Sequence, residues 1–159
     1  MKGKVYKILA AVKDPEIPVL TLEDLGVIRD VNVLNDDEVE VKITPTYTGC
    51  PATDVMEEEI RLALFVAGFS KIRITQVISP AWTTDWLSQK GREKLIEYGI
   101  APPVEGQAKT ALLEDISVPC PRCGSEDTKM ISAFGSTACK ALFQCQSCRE
   151  PFDYFKCHA

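Results

Sequence analysis

The sequence is poor in histidine, in long apolar runs and in positive charge. Histidine occurs once, as His158, which leaves little room for an active site built on a histidine base. No apolar run approaches the roughly 20 residues that a membrane-spanning helix needs. Lysine and arginine number 18 against 23 acidic residues, which argues against nonspecific binding to DNA. The protein could instead bind another protein or a small ligand.

Recognised catalytic motifs are also missing. The chain contains no glycine-rich phosphate loop, no Gly-x-Ser-x-Gly elbow and no catalytic triad. Its N-terminal apolar segment, Ile8 to Val12, is interrupted by Lys13 and Asp14, with no cleavage pattern after it, so we interpret it as helix and not as a signal peptide. We therefore expect a cytoplasmic protein, in which paired cysteines more often bind metal than form disulfides.

The first hundred residues alternate between helical and extended patterns. Periodicity and capping residues predict the order helix, strand, strand, helix, strand, helix. This order is typical of a small α+β fold with a three-stranded sheet backed by helices, and it leaves the strand order open. The predicted elements are a helix ended by Pro15, a capped turn at 21–26, a hairpin of 27–34 and 38–44, helix 53–67, strand 71–77 and a last helix from Thr83 or Thr84 to Tyr98.

Cys50 lies at the predicted corner between the hairpin and the long helix. The stretch Thr44 to Pro51 contains two prolines, a glycine and this single cysteine, and Pro51 suits the first position of a helix. Cys50 would then face unpaired backbone N–H groups and the positive end of the helix dipole, which lower the pKa of a thiol. The alternative is a buried cysteine that only packs. Because the first hundred residues contain no histidine, any chemistry there would centre on Cys50.

An acidic loop precedes the capped turn. Asp14-Pro-Glu-Ile-Pro18 places two carboxylates and two prolines in five residues. Asp-Pro is a common start of a turn, and acid–base chemistry by Asp14 and Glu16 is the alternative. Since no histidine lies nearby to pair with these carboxylates, we favour the turn and expect the loop to be stiff and exposed.

The cysteines are concentrated in the C-terminal part of the chain, where six of the seven follow residue 119. Residues 100–111 include Pro102, Pro103 and Gly106 and predict a linker. We therefore expect a first domain at 1–99, a linker at 100–111 and a second domain at 112–159.

Two Cys-x-x-Cys pairs frame the second domain, Cys120 with Cys123 and Cys145 with Cys148. This spacing can place four thiolates tetrahedrally around zinc. With strand-like stretches near 128–134, 140–144 and 151–156, it predicts a small all-β zinc ribbon. Four cysteine ligands indicate a closed structural site and not a catalytic one, and a domain this small usually needs metal to fold.

The remaining features of the second domain leave its other roles open. Residues 112–159 contain five basic and six acidic residues, so no basic surface supports nucleic-acid binding. Three further soft ligands, Cys139, Cys157 and His158, could form a second metal site or a transfer site. The alternative, which we favour, is that the cysteines pack and the terminal histidine frays.

Several motifs resemble known families. Three early motifs resemble the SufT-like family of iron–sulfur maturation domains: Asp14 to Pro18, the Leu25-Gly26 turn and Thr44 to Pro51. Three later motifs narrow the resemblance to the PaaD family of phenylacetate-degradation proteins: Ser79 to Trp86, Phe134 to Leu142 and Phe155 to His158. The resemblance covers essentially the whole chain.

The resemblance implies an accessory protein of the multicomponent phenylacetyl-CoA epoxidase. That enzyme has a di-iron oxygenase part and a reductase that carries flavin and a [2Fe–2S] centre. An accessory protein of this kind would help to mature the iron–sulfur centre and would not itself turn over substrate. The family's reactive cysteine maps to Cys50, in the motif that includes Thr48 and Gly49, and its acidic loop maps to Asp14 and Glu16.

Three functions remain open at this point. In the first, which we favour, Cys50 holds iron or a [2Fe–2S] cluster transiently for an iron–sulfur client protein. One cysteine cannot retain a cluster with four cysteine ligands, so a homodimer sharing two Cys50 thiolates, or the client itself, would supply the rest. In the second, the protein is a scaffold that docks onto oxygenase or reductase subunits. In the third, it is a thiol-dependent enzyme. The ribbon would hold structural zinc in all three.

Overall fold

The structure is a computed structural model that describes residues 1–46, 52–104, 116–135, 137 and 139–156. It divides into two compact units, Met1–Gly91 and Arg92–Ala159. The first unit holds a mixed sheet with helices, and the second holds a β-rich region. The predicted fold class, an α+β domain followed by a small all-β domain, is confirmed.

The first unit is built on a three-stranded sheet. Its elements are α1 (Lys2–Leu9), α2 (Leu22–Leu25), β1 (Ile28–Val33), β2 (Glu38–Ile43), α3 (Ala52–Val66), β3 (Lys71–Gln76), a 3₁₀ turn (Thr84–Trp86) and the start of α4 (Gln89–Tyr98). The strand order is β1-β2-β3. β1 and β2 form the predicted antiparallel hairpin, and β3 runs parallel to β2. A parallel pair needs a crossover, which α3 supplies.

The core of the first unit lies between the sheet and the helices. On β2 every second side chain is fully buried, namely Val39, Val41 and Ile43, because alternate residues of a strand face the same side. The buried stripe of α3 is formed by Met56, Ile60 and Leu64, which are spaced four residues apart and so lie on one helix face. α1 packs on α3 and β1 and buries Val5 and Leu9.

The segment after β3 returns to α2. The indole N–H of Trp82 donates to the carbonyl oxygen of Leu25 at 2.7 Å, and the backbone N–H of Ser88 donates to the carbonyl oxygen of Asp24 at 2.8 Å. Asp24 also completes the predicted capping box with Thr21. One buried acidic residue therefore both caps α2 and anchors the segment that follows the sheet.

The last predicted helix is divided in two. Thr83 caps only a 3₁₀ turn, Leu87 is extended (φ −65°, ψ 125°), and α4 begins at Gln89. The prediction of one helix from Thr83 or Thr84 to Tyr98 was therefore wrong, because the chain straightens at Leu87 to bury that side chain. On α4, Leu95 is buried, whereas Ile96 is 46% exposed.

The second unit contains a four-stranded sheet. Its strands are β4 (Ile100–Ala101), β5 (Thr128–Ser132), β6 (Lys140–Cys145) and β7 (Pro151–Phe155), in the order β4-β7-β6-β5. β5, β6 and β7 are antiparallel, and β4 runs parallel to β7. The aromatic rings of Phe143, Phe152 and Tyr154 pack together in its core.

The first residues of the predicted linker belong to this sheet. Ile100 and Ala101 are buried and pair with Asp153 and Tyr154 of β7. The prolines that follow made the whole of 100–111 resemble a linker, but a two-residue strand is too short for its pattern to be recognised. The first two residues of the predicted linker, Ile100 and Ala101, therefore belong to a β-strand.

We predict that Gly26→Ala destabilises the first unit more than Gly68→Ala does. Both glycines have positive φ (71° and 109°), but a Cβ at Gly26 would lie 2.6 Å from the carbonyl oxygen of Trp86, whereas one at Gly68 meets nothing within 4 Å. The positive φ costs each variant roughly 1–2 kcal/mol, and only Gly26→Ala adds an overpacking cost of about 1–3 kcal/mol.

Urea unfolding followed by tryptophan fluorescence measures this difference, because both tryptophans lie in the first unit. Equal losses of unfolding free energy in the two variants would show that the contact with Trp86 is not a constraint.

Candidate functional site

The structure brings the four cysteines of the two Cys-x-x-Cys pairs together. Cys120 and Cys123 lie in the turn before β5, Cys145 ends β6, and Cys148 lies in the turn between β6 and β7. All four Sγ atoms lie within 4.8 Å of one another. The distance between Sγ atoms is 3.8 Å for Cys120 and Cys148 and 3.5 Å for Cys123 and Cys145.

These distances fit a tetrahedral metal. A zinc–sulfur bond of about 2.3 Å implies sulfur atoms roughly 3.8 Å apart in a regular tetrahedron. Cys120 and Cys145 are buried, whereas Cys123 and Cys148 are exposed. The cluster thus has its inner ligands anchored in the fold and its outer ligands at the surface, and it has the donor set of a closed structural site.

The two turns that carry these cysteines have the same geometry. In each, the backbone N–H of the first cysteine donates to the carbonyl oxygen of the residue five positions later: Cys120 bonds to Ser125 at 2.9 Å and Cys145 to Glu150 at 3.0 Å. The fourth residue after the first cysteine has positive φ in both, 77° at Gly124 and 67° at Arg149. Glycine accommodates this conformation freely, whereas arginine does so at a cost. The Cys-x-x-Cys spacing predicted both turns, but the left-handed residue is a glycine only in the first.

Hydrogen bonds and neighbouring thiols shift the pKa values of Cys145 and Cys148 in opposite directions. The backbone N–H of Cys148 donates to Sγ of Cys145 at 3.4 Å, and this bond is the main cause that lowers the pKa of Cys145 to about 6. The N–H of Glu150 acts in the same direction on Cys148, but burial and the thiols of Cys145, Cys123 and Cys120 outweigh it and raise the pKa of Cys148 to about 12. The four sulfur atoms therefore cannot all ionise unless a cation lies among them.

The acidic loop is held by one of its own carboxylates. Asp14 is only 8% exposed, and its Oδ1 accepts hydrogen bonds from the backbone N–H groups of Glu16 and Ile17 at 2.8 and 2.7 Å. The loop is therefore the predicted turn, but the expectation that it is exposed was wrong for Asp14. The sequence did not predict this burial, because an aspartate followed by proline is typical of an exposed surface turn.

The predicted cysteine corner lies outside the described residues. Thr48, Gly49 and Cys50 fall in the undescribed stretch 47–51, and α3 begins directly after it, at Ala52. On the strand side of this stretch, Thr44 is buried and its hydroxyl donates to the carbonyl oxygen of Val77 at 2.7 Å.

Of the three further soft ligands, the structure describes Cys139 alone. It is buried, and its Sγ lies 3.0 Å from the hydroxyl oxygen of Thr137. Cys157 and His158 fall outside the described residues.

Lys156 is a buried cation that no sequence pattern indicated. It is 8% exposed, its side chain donates to the carbonyl oxygen of Ala133, and its Nζ lies 4.1 Å from the ring centre of Phe134. Burial lowers the pKa of Lys156.

Comparison with known proteins assigns both parts of the chain. A family model described as "Iron-sulfur cluster assembly protein" matches residues 2–74, and one described as "PaaD zinc beta ribbon domain" matches residues 105–156. A protein of Escherichia coli K12, named as one subunit of a "Putative 1,2-phenylacetyl-CoA epoxidase", is 49% identical over 97% of this chain and 92% of its own length. The chain belongs to the PaaD family.

Other relatives match the first part of this PaaD-family chain. A Porphyromonas gingivalis protein named "Fe-S protein maturation auxiliary factor" is 36% identical, over 60% of this chain and 88% of its own length. The crystal structure of a DUF59 domain from Bacillus anthracis aligns with a TM-score of 0.55 and 26% identity, covering 59% of this chain and 90% of that one. The structure of a conserved hypothetical protein from Thermotoga maritima aligns with a TM-score of 0.51 and 26% identity. The alignment covers 60% of this chain and 93% of that one.

These comparisons confirm the SufT-like and PaaD resemblance, and they support an accessory role in iron–sulfur maturation. The ribbon match and the four-cysteine cluster together indicate metal binding in the second unit. Within the described ranges, no helix has the length and apolar character needed to cross a membrane.

We predict that the PaaD-type ribbon holds one zinc ion per chain and that Cys148→Ser releases it. Loss of one ligand leaves three thiolates and removes the metal-binding free energy that small metal domains need to fold. Metal analysis of purified protein checks the stoichiometry, and the dispersion of amide NMR signals from the second unit checks its fold.

Cys139→Ser is the matched control, because Cys139 is in the same unit but not in the cluster. It is expected to keep the zinc. Equal zinc content in the Cys148→Ser variant and the unaltered protein would contradict the assignment of the cluster.

Proposed function

We propose that this protein assists assembly of an iron–sulfur centre, or of an iron centre, in a client subunit of a multicomponent phenylacetyl-CoA epoxidase. The observation that carries the proposal is the joining of an iron–sulfur assembly domain to a PaaD ribbon in one chain, which is 49% identical over almost its whole length to a protein named as an epoxidase component. The protein would act in the cytoplasm, with its zinc as a structural component.

Cys50 is the proposed functional thiol. It lies two residues before the first residue of α3, and Asp54 is the only acidic side chain in the first turn of that helix. Backbone N–H groups at a helix start favour a thiolate, which is the form that binds iron. Thr48 and Gly49 would shape the approach to this thiol.

Asp14 and Glu16 are the proposed acidic members of the cargo site. The described contacts give Asp14 a positioning role, because its carboxylate fixes the backbone of the loop through two N–H groups. Glu16 is half-buried on the same turn. We propose that Asp14 sets the shape of the loop and that Glu16 provides its outward negative charge.

The cargo would be held weakly. Iron or a [2Fe–2S] cluster is the substrate here and not a resident cofactor, and a single cysteine per chain supplies too few ligands to retain it. A second chain or the client would complete the coordination during transfer. Weak ligation suits a carrier, because a cargo bound by four strong ligands would not be released.

A scaffold is the second candidate function. The four-cysteine site is closed, and the exposed apolar side chains of the second unit include Ile131 at 54% and Phe134 at 59%. Exposed apolar residues of this size favour contact with another protein. In this case the ribbon would dock onto oxygenase or reductase subunits, and Cys50 would have no chemical role.

We predict that Cys50→Ser lowers the [2Fe–2S] content of the epoxidase reductase. The reductase is co-expressed with either the unaltered protein or the variant, and its iron, sulfide and visible absorbance are measured per chain. A several-fold loss is expected, because serine lacks the soft thiolate that iron requires.

Cys139→Ser serves as the control and should leave the reductase fully loaded. The scaffold predicts a different pattern, in which Cys50→Ser has no effect and Cys148→Ser abolishes both loading and co-purification. A full cluster complement with Cys50→Ser would therefore eliminate the maturation role given to Cys50.

A further inference from the structure

β3 lies at an edge of the three-stranded sheet. Among the described residues it pairs only with β2. The N–H of Lys71 donates to the carbonyl oxygen of Asp37, and that of Val77 donates to the carbonyl oxygen of Ile43. Odd-numbered residues of this strand thus direct their backbone groups toward β2. Because these directions alternate along a strand, the even-numbered residues direct theirs away from the sheet.

The central outward-directed backbone groups are those of Ile72 and Ile74. Arg61 of α3 supports this assignment, since its guanidinium donates to the carbonyl oxygen of Ile72 at 2.8 Å. A strand edge that directs N–H and C=O groups outward is a template for another strand. The edge of β3 therefore offers the directional contacts of β-strand addition.

An open groove with apolar and charged parts lies beside this edge. On the helix side, Leu62 and Phe65 of α3 and Ile72 of β3 form the apolar part of an open groove of about 640 Å³, which is also lined by Glu38, Glu58, Arg61, Ser70, Lys71 and Arg73. Leu62 is 58% exposed and Phe65 is 63% exposed. Lys71 and Arg73 alternate with Ile72 along β3 and also reach this groove, Arg73 lies 4.0 Å from the carboxylate of Glu38, and β3 itself has no acidic residue.

The sheet itself shows which kind of strand pairs with β3. β2 alternates glutamate and valine at its start, and its register places Glu38 opposite Lys71 and Glu40 opposite Arg73. The valines that alternate with these glutamates, Val39 and Val41, face the core. Opposite charges across a strand pair are favourable, so an alternation of acidic and apolar residues is the pattern that β3 already accepts on one side.

We propose that the outer edge of β3 is a docking site for an extended segment of a partner protein that alternates apolar and acidic residues. Its backbone would bond to Ile74 and to the N–H group of Ile72 as a fourth strand, and its N–H group would share or replace the Arg61 contact on the carbonyl oxygen of Ile72. Its apolar side chains would enter the groove beside Leu62 and Phe65, and its carboxylates would face Lys71 and Arg73.

A second copy of this chain does not fit the edge. Two β3 strands side by side would bring Lys71 and Arg73 of one copy near the same residues of the other, and like charges across a strand pair are destabilising. The charges therefore select against self-pairing, as edge lysines do in other sheets, and select for an acidic partner.

Peptide binding to the zinc-loaded full-length protein tests the proposal. The probe is a capped six-residue peptide of alternating valine and glutamate, and its matched controls carry lysine for glutamate or N-methylated backbone amides. We expect the glutamate peptide alone to shift the amide signals of Ile72 and Ile74 and to slow their hydrogen exchange by about tenfold. No shift at about 1 mM peptide would overturn the proposal.

A charge-reversed variant gives a second, independent readout. Lys71→Glu combined with Arg73→Glu changes two exposed side chains but also places glutamates opposite Glu38 and Glu40, so urea unfolding first checks that the variant is folded. The folded variant should bind the lysine peptide and reject the glutamate peptide. Equal binding of both peptides by either protein, shifts confined to other residues, or a dimer in place of binding would each refute the site. None of these outcomes depends on reductase loading or on Cys50.

Discussion

The mutual repulsion of four crowded sulfur atoms is the constraint on which the second unit depends. Cys120, Cys123, Cys145 and Cys148 bring their sulfur atoms within 4.8 Å, where four thiolates cannot coexist without a cation. The two turns that present these cysteines share one hydrogen-bond pattern, and the strands β5, β6 and β7 extend from them. The hydroxyls of Ser125 and Ser147 join the two turns at 2.8 Å. We therefore expect metal binding and folding of this unit to be one process.

The first unit meets a different requirement. It has an apolar core to which β2, α1 and α3 contribute. Its polar interactions fix its shape: Asp14 holds the acidic loop, and Asp24 caps α2 and anchors the segment after β3. Such a unit can present the edge of β3 on a stable support, and the ribbon contributes a metal-binding site of its own.

Local patterns predicted much of this architecture. The Cys-x-x-Cys spacing predicted the ribbon, alternation predicted β2, and the Thr21–Asp24 box predicted the cap of α2, because each signal is confined to a few neighbouring residues. Strand order, by contrast, depends on which distant segments meet. The burial of Lys156 and the pairing of Ile100 with β7 also come from tertiary contacts that no local pattern records. The same distinction applies to the candidate site. Cysteine spacing, a local signal, located the metal cluster. The burial of Asp14 was not predicted, because its hydrogen bonds to backbone N–H groups are not visible in an Asp-Pro pattern.

A cluster-transfer experiment decides most directly whether the protein is a carrier. The protein is loaded anaerobically with iron and sulfide, freed of excess reagent and mixed with cluster-free epoxidase reductase, and iron and zinc are then measured in each protein after separation. We expect the reductase to gain a [2Fe–2S] centre as this protein loses iron, while the zinc stays in the ribbon. Iron that never binds this protein, or that remains on it while the reductase stays empty, would contradict the maturation role.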